Sequence, residues 1–307
     1  MVLDSVLLVV GLVLLFVGGE ALVRGAVSLA DRFGLSPLVI GLTVVGFGTS
    51  MPELLVSLQA ALRGAPDIAV GNVVGSNIAN ILLILGVSAM ISPMAVRIAG
   101  LGRDLAVMLA AAVALLLLGL TGEIGRLAGA MMLVGLIVYI GFATVSGRRD
   151  CEKCSEAPVR LAAWKEALLL VFGFGALLVG ADSLVGAAIR IARTAGVSEA
   201  VIGLTIVAVG TSLPELATSL VAAFRKHSEV AIGNVVGSNI FNTLGILGVT
   251  ALVEPVSIAH SIAALDIPLM LAISAGLVCL VLLARHLTRA TGVALLCCYT
   301  IYVGFLF

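Results

Sequence analysis

The chain has 307 residues, 61% hydrophobic and 11% charged, with 17 basic and 17 acidic side chains and a mean hydropathy of +1.26. Soluble domains carry about a quarter charged residues, so this composition excludes an ordinary soluble protein and places the chain in a lipid bilayer. Zero net charge excludes a global field that draws nucleic acid, and the five cysteines form no disulfide framework.

Apolar runs of about 20 residues suit α-helical spans. Runs such as Leu115-Leu116-Leu117-Leu118 and Leu168-Leu169-Leu170-Val171 lack the alternation of a barrel strand. Ten transmembrane helices are expected, near residues 2–28, 36–62, 68–91, 104–120, 125–146, 164–190, 198–224, 230–252, 264–284 and 289–307. The first carries Asp4, lacks a basic leader, and reads as a retained helix rather than a cleaved signal peptide. The one clearly polar connection, Ser146 to Lys165, divides the chain into a five-helix repeat (1–146), a linker (147–163) and a second five-helix repeat (164–307). Cys151 and Cys154 in that linker have half the spacing of a zinc site and read as reduced thiols. Cys279, Cys297 and Cys298 read as small packing residues in apolar spans.

The halves are internal copies. At a fixed offset of 162, residues 36–86 match 198–248 at 32 of 51 positions without a gap, and Gly11/Gly173, Gly18/Gly180, Pro93/Pro255 and Asp104/Asp266 keep the register. Five spans is an odd number, so the second copy is expected to enter the bilayer inverted. Assigning the connections alternately to two sides puts Arg63, Arg126, Arg190 and Arg193 with the termini and the other 13 of the 17 Lys and Arg opposite. The bias predicts a cytoplasmic linker and both termini outside, and the expected location is the plasma membrane. Inverted repeats with proline-interrupted helices at matching places are the pattern of a secondary transporter whose site lies at the repeat interface.

The second span contains Gly48-Thr49-Ser50-Met51-Pro52-Glu53-Leu54, repeated in the seventh as Gly210-Thr211-Ser212-Leu213-Pro214-Glu215-Leu216. Pro52 lacks an N–H and its ring clashes with the carbonyl of Gly48, so the helix is expected to kink or break between Gly46 and Ser50. Thr49 and Glu53 are spaced i, i+4, which sets hydroxyl, freed carbonyls and carboxylate on one face. The third and eighth spans hold identical heptads, Gly71-Asn72-Val73-Val74-Gly75-Ser76-Asn77 and Gly233-Asn234-Val235-Val236-Gly237-Ser238-Asn239. Their glycines permit close helix approach, while Ser76 with Asn80, and Ser238 with Asn242, share a face at i, i+4. A buried ionisable group in a span is a functional candidate by default. With carboxylates, hydroxyls, amide oxygens and carbonyls the whole donor set is oxygen, which suits hard cations, Ca²⁺ above Mg²⁺ or Zn²⁺. A pocket of charge −2 is neutralised by one Ca²⁺ or two Na⁺ and slightly overfilled by three Na⁺, and a site that suits either load but not both is what antiport requires.

The paired G-T-S-x-P-E and G-N-V-V-G-S-N-I-x-N motifs resemble the α-repeats of the calcium/cation antiporter superfamily, in particular prokaryotic sodium/calcium exchangers, across all ten spans. The resemblance implies that Glu53 and Glu215 are the central Ca²⁺ ligands, helped by the carbonyls of Thr49 and Thr211. It also implies that Ser50, Ser76, Asn80, Ser212, Ser238 and Asn242 line Na⁺ positions, with the carbonyls of Gly46 and Ala208 nearby, and that the first and sixth spans slide across the other eight. The ions are cargo and no cofactor is expected. The expected partners are Ca²⁺, Na⁺ and the bilayer, with no nucleic acid, and the chain reads as a monomer. Where several relatives, among them the potassium-dependent branch, carry Asp, this chain has Asn242, which implies that K⁺ is not cotransported.

Other acids have plainer readings. Glu20 and Asp182 match at the same offset and suit ion pairing on the first and sixth spans, and Asp104 and Asp266 read as helix N-terminal charges. Three competing functions remain: H⁺/Ca²⁺ exchange through the glutamates, an intramembrane hydrolase using them as acid and base, and a channel. The hydroxyl and amide oxygens favour Na⁺ over H⁺, no hydrolase motif is present, and a repeat-built occluded site favours alternating access over a channel.

Overall fold

A computed structural model describes residues 2–96, 98–151, 161–195, 208–284 and 286–306. The described residues are helical apart from two short strand pairings and the turns. In chain order the helices are α1 (Val2–Phe33), α2a (Pro37–Thr49), α2b (Met51–Leu62), α3 (Pro66–Ile91), α4 (Ile98–Thr121), α5 (Arg126–Cys151), α6 (Ala163–Thr194), α7 (Leu213–Phe224), α8 (Ser228–Val253), α9 (Ile262–Ala284) and α10 (Arg289–Leu306). Seven helices are long and apolar enough to cross a membrane, and α2a with α2b makes an eighth, bent by 45°. The helices α7 and α10 are shorter, and residues 198–207 of the expected seventh span lie outside the described residues, as does Cys154.

Local chemistry sets the boundaries. Pro37 and Pro66 each stand in the first turn of a helix, where the missing N–H costs no bond. After α1 and α2b the chain turns through Gly34 (φ 61°) and Gly64 (φ 74°), a left-handed conformation that glycine adopts without penalty. The position equivalent to Gly64 in the second half is Lys226, which takes the same conformation (φ 61°). Two antiparallel pairings tie the ends of the bundle: Met94–Ala95 with His286–Leu287, and Glu123–Ile124 with Val256–Ser257.

The helices pack in pairs that alternate between the halves: α1 with α6, α2a with α8, α5 with α8, and α3 with α10. Small residues allow this. A Cβ on Gly11 would stand 2.8 Å from the carbonyl oxygen of Gly180, and one on Gly237 only 2.3 Å from the carbonyl oxygen of Leu42. No side chain fits either place without moving backbone.

Three expectations are corrected. Because α4 begins at Ile98, Asp104 is not a helix-start charge. It is fully buried, 2.8 Å from the Arg103 guanidinium and 3.3 Å from the donating hydroxyl of Tyr139. Asp266 likewise lies a turn inside α9, at the end of a π-helical segment, Ile262–Asp266. Cys279, Cys297 and Cys298 are exposed on the outside of the bundle instead of packing within it.

Candidate functional site

The break between α2a and α2b falls at Ser50, and a π-helical segment, Gly41–Val45, precedes it. Glu53 and Glu215 therefore each sit in the first turn of a helix that starts inside the protein, where unpaired backbone N–H groups favour negative charge. Glu53 is 0% exposed and Glu215 1%.

The two acids are cross-linked by the serine of the opposite motif. The Ser50 hydroxyl donates to Glu215 Oε1 at 2.9 Å, and the Ser212 hydroxyl donates to Glu53 Oε1 at 3.1 Å. Motifs 162 residues apart in sequence thus form one cluster. The second oxygen of each carboxylate, Oε2, is buried without a hydrogen-bond partner. Among the described residues no basic side chain pairs with either acid, and no trio of His, Cys, Asp and Glu gathers anywhere. Two buried carboxylates without a paired cation are costly, so the cluster calls for positive charge.

Around it the heptads act as clamps. Asn72 Nδ2 donates to the Glu53 carbonyl at 3.2 Å and to Ser57 Oγ at 2.9 Å; Asn234 Nδ2 does the same to the Glu215 carbonyl at 3.3 Å and Ser219 Oγ at 2.9 Å. The Thr49 hydroxyl faces the Val45 carbonyl at 3.0 Å and Asn234 Oδ1 at 3.2 Å, which ties it to the backbone and the neighbouring clamp. Ser238 Oγ lies 3.5 Å from the Gly46 carbonyl that the sequence nominated. Ser76 is buried on α3, Thr211 occupies the turn before α7, and Ala208 opens the short helical turn Ala208–Gly210. Asn80 begins one π-helical segment (Asn80–Ile84) and Asn242 lies in another (Phe241–Ile246). Such segments recur at functional sites because they turn side chains and carbonyls out of the regular ladder. The Asn80 segment packs against α7, which carries Glu215, and the Asn242 segment against α2b, which carries Glu53. Asn80 Oδ1 and both amide atoms of Asn242 are buried without a partner, and such orphans mark where a ligand is to be sought.

Comparison with known proteins gives the family. The family model described as sodium/calcium exchanger protein matches residues 4–145 and 165–307. The sodium/calcium exchanger MaX1 of Methanosarcina acetivorans is 34% identical over 344 residues, spanning 99% of this chain and 98% of the relative. The chain belongs to the sodium/calcium exchanger family. The inner membrane protein YrbG of Escherichia coli is 36% identical over 283 residues, spanning 89% of this chain and 87% of that protein. The solved structure of the sodium-calcium exchanger NCX_Mj soaked with Na⁺ and Ca²⁺ superposes with a TM-score of 0.87 at 34% identity, covering 99% of this chain and 98% of that one. Membership makes the protein a multi-pass membrane antiporter of cations, not an enzyme, whose ions are substrates and which needs no cofactor.

In this exchanger the sequence motifs bring Glu53, Glu215, Ser50 and Ser212 together. Sequence reasoning missed the clamps, Asn72 with Ser57 and Asn234 with Ser219, and the amide cross-link that joins α3 to α8. There Asn80 Nδ2 donates to Asn239 Oδ1 at 2.9 Å, Asn239 Nδ2 to the Asn77 carbonyl at 3.2 Å, and Asn77 Nδ2 to Thr243 Oγ1 at 2.9 Å. The spacing Glu-x-x-x-Ser at Glu53/Ser57 and Glu215/Ser219 was the available signal.

Proposed function

We propose that this chain exchanges Na⁺ for Ca²⁺ across the plasma membrane by alternating access, with the ions held between Glu53 and Glu215. The observation that carries the reading is the crossed pair of serine contacts, which leaves one bare carboxylate oxygen from each half in a single dry cluster. Ca²⁺ takes both carboxylates and the carbonyls of Thr49 and Thr211. Na⁺ takes positions lined by Ser50, Ser76, Asn80, Ser212, Ser238 and Asn242, with the carbonyls of Gly46 and Ala208. Neutral oxygens in that number suit Na⁺, since a proton carrier needs only the acids. The neighbours named for Na⁺ and Ca²⁺ exchange support the same cargo.

The chain spans the bilayer ten times as two inverted five-helix repeats, residues 1–146 and 164–307, joined by a cytoplasmic linker at 147–163, with both termini outside. The reciprocal contacts described above are what an inverted pair would make, and the basic residues gather on the linker's side.

The test is ⁴⁵Ca²⁺ uptake into inverted vesicles under an imposed Na⁺, H⁺ or K⁺ gradient, each varied alone. Uptake is expected to follow the Na⁺ gradient without K⁺, and Glu53→Gln and Glu215→Gln each to abolish it while the protein stays folded. Uptake that follows only the pH gradient assigns H⁺ as coupling ion, and unchanged uptake in either variant rejects the carboxylate pair.

A further inference from the structure

Away from the carboxylate cluster, a cavity of about 670 Å³ opens between the end of α1, the start of α6 and the turn joining α7 to α8. Its size is that of a small-molecule site, roughly 300–1,000 Å³. Among the described residues Arg24, Lys165 and His227 line it, and no acidic residue does. Two carboxylates, Glu20 and Asp31, act on His227, and Glu20 is shared: Glu20 Oε1 lies 2.5 Å from Arg24 Nε and 2.6 Å from Arg225 Nη2. One acid between two guanidiniums leaves a positive excess. Lys165 has no carboxylate partner among the described residues and rests 5.5 Å from the ring centre of Trp164.

The cavity has a fixed wall. Ser28 donates to Glu166 Oε1 at 2.6 Å and accepts from the backbone N–H of Leu161 at 3.0 Å, while Arg32 reaches the Leu161 carbonyl at 2.7 Å. Glu166 is thereby consumed by Arg32 and Ser28 and does not offset Lys165. His227 is half-buried, and burial, then the neighbouring Arg225, pushes its pKa below the usual value. It offers a neutral N–H donor beside two permanent cations. Apart from Ser28 the rest of the lining is apolar, with Trp164 (65% exposed) and Leu168 (59% exposed) outward and half-buried Leu169 against Gly25 of α1.

We propose that this cavity binds an anionic phospholipid, with Arg24, Lys165 and His227 around the headgroup phosphate and Trp164, Leu168 and Leu169 along an acyl chain. Charge complementarity selects an anion, and basic pockets between membrane helices hold such headgroups. The apolar wall and a tryptophan at the rim suit a lipid over a free anion. All three basic groups belong to the side that holds 13 of the 17 Lys and Arg. The ligand bridges α1 and α6 to the α7–α8 turn.

Trp164 is the sole tryptophan, so its fluorescence reports this place alone. The full chain is reconstituted in phosphatidylcholine vesicles containing a minor fraction of brominated phosphatidylglycerol or of brominated phosphatidylcholine. The anionic lipid is expected to quench with a roughly fivefold preference at equal mole fraction. Lys165→Gln, at an exposed position, reduces that preference severalfold, and Lys165→Gln with Arg24→Gln removes it. Equal quenching by the two lipids in the unaltered chain overturns the proposal, as does a preference unchanged in the double variant. Relief of the quenching by millimolar inorganic phosphate assigns the pocket to a soluble anion and also overturns it.

Discussion

Asn80 and Asn242 occupy the same point of the two repeats, yet they are wired differently. Asn80 Nδ2 is fixed by Asn239, while both amide atoms of Asn242 and the Oδ1 of Asn77 stand alone. The halves also differ in what faces these amides. Asn77 donates an N–H to the hydroxyl of Thr243, whereas the equivalent position in the first half is Ile81, which has no hydroxyl to offer Asn239. Asn239 turns instead to the Asn77 carbonyl and leaves its own Oδ1 for Asn80. The Thr243 hydroxyl accompanies this difference, and the cage is lopsided at the threonines too, where Thr49 Oγ1 meets Asn234 Oδ1 while Thr211 Oγ1 has no hydrogen-bond partner. On the proposed mechanism the first half presents a preset amide oxygen and the second an adjustable one.

The harshest way to break the comparison is to remove the scaffold beneath it. Gly237→Ala places a methyl group against the Leu42 backbone, and overpacking that no side-chain motion relieves is expected to cost about 3 kcal/mol or more. Loss of monodisperse protein after mild heating checks it. Next comes Thr243→Val, which keeps shape and strands the Asn77 N–H; the cost is about 1–3 kcal/mol, read as a lowered Tm, whereas Ile81→Val costs only about 1 kcal/mol. The clamps are the nearly symmetric control: Ser57→Ala and Ser219→Ala each forfeit one 2.9 Å bond, about 1 kcal/mol, and Ser57→Ala loses in addition only a long 3.4 Å bond to the Ala69 carbonyl. A clear inequality between them places the asymmetry in the clamps as well. Smallest is the turn pair. Gly64→Ala is expected to cost about 1 kcal/mol and Lys226→Gly to gain about 0.5 kcal/mol, because both positions are left-handed.

Much of this was legible in the sequence. Apolar run lengths gave the helices, and Pro52 fixed the break within the range expected, since a missing N–H acts locally. Glu53 and Glu215 stood out because ionisable groups are rare in such surroundings. The start of α4 was misjudged because Arg103 and Asp104 look like a boundary, whereas Asp104 stays inside with the adjacent Arg103 guanidinium and with Tyr139, 35 residues away, among its partners. The amide network was invisible for a related reason. Asn77 and Thr243 are 166 positions apart, and nothing in either neighbourhood names the other. The π-helical segments at Asn80 and Asn242 also have no local signature, since they arise from tertiary fit.

The most direct test of the central claim is an anomalous-scattering map of crystals soaked with Ca²⁺ in the absence of Na⁺. The account predicts one strong peak within about 2.3–2.6 Å of a carboxylate oxygen from both Glu53 and Glu215, weakened when Na⁺ is added. A peak that touches only one of the two acids, or that lies outside their cluster, contradicts it.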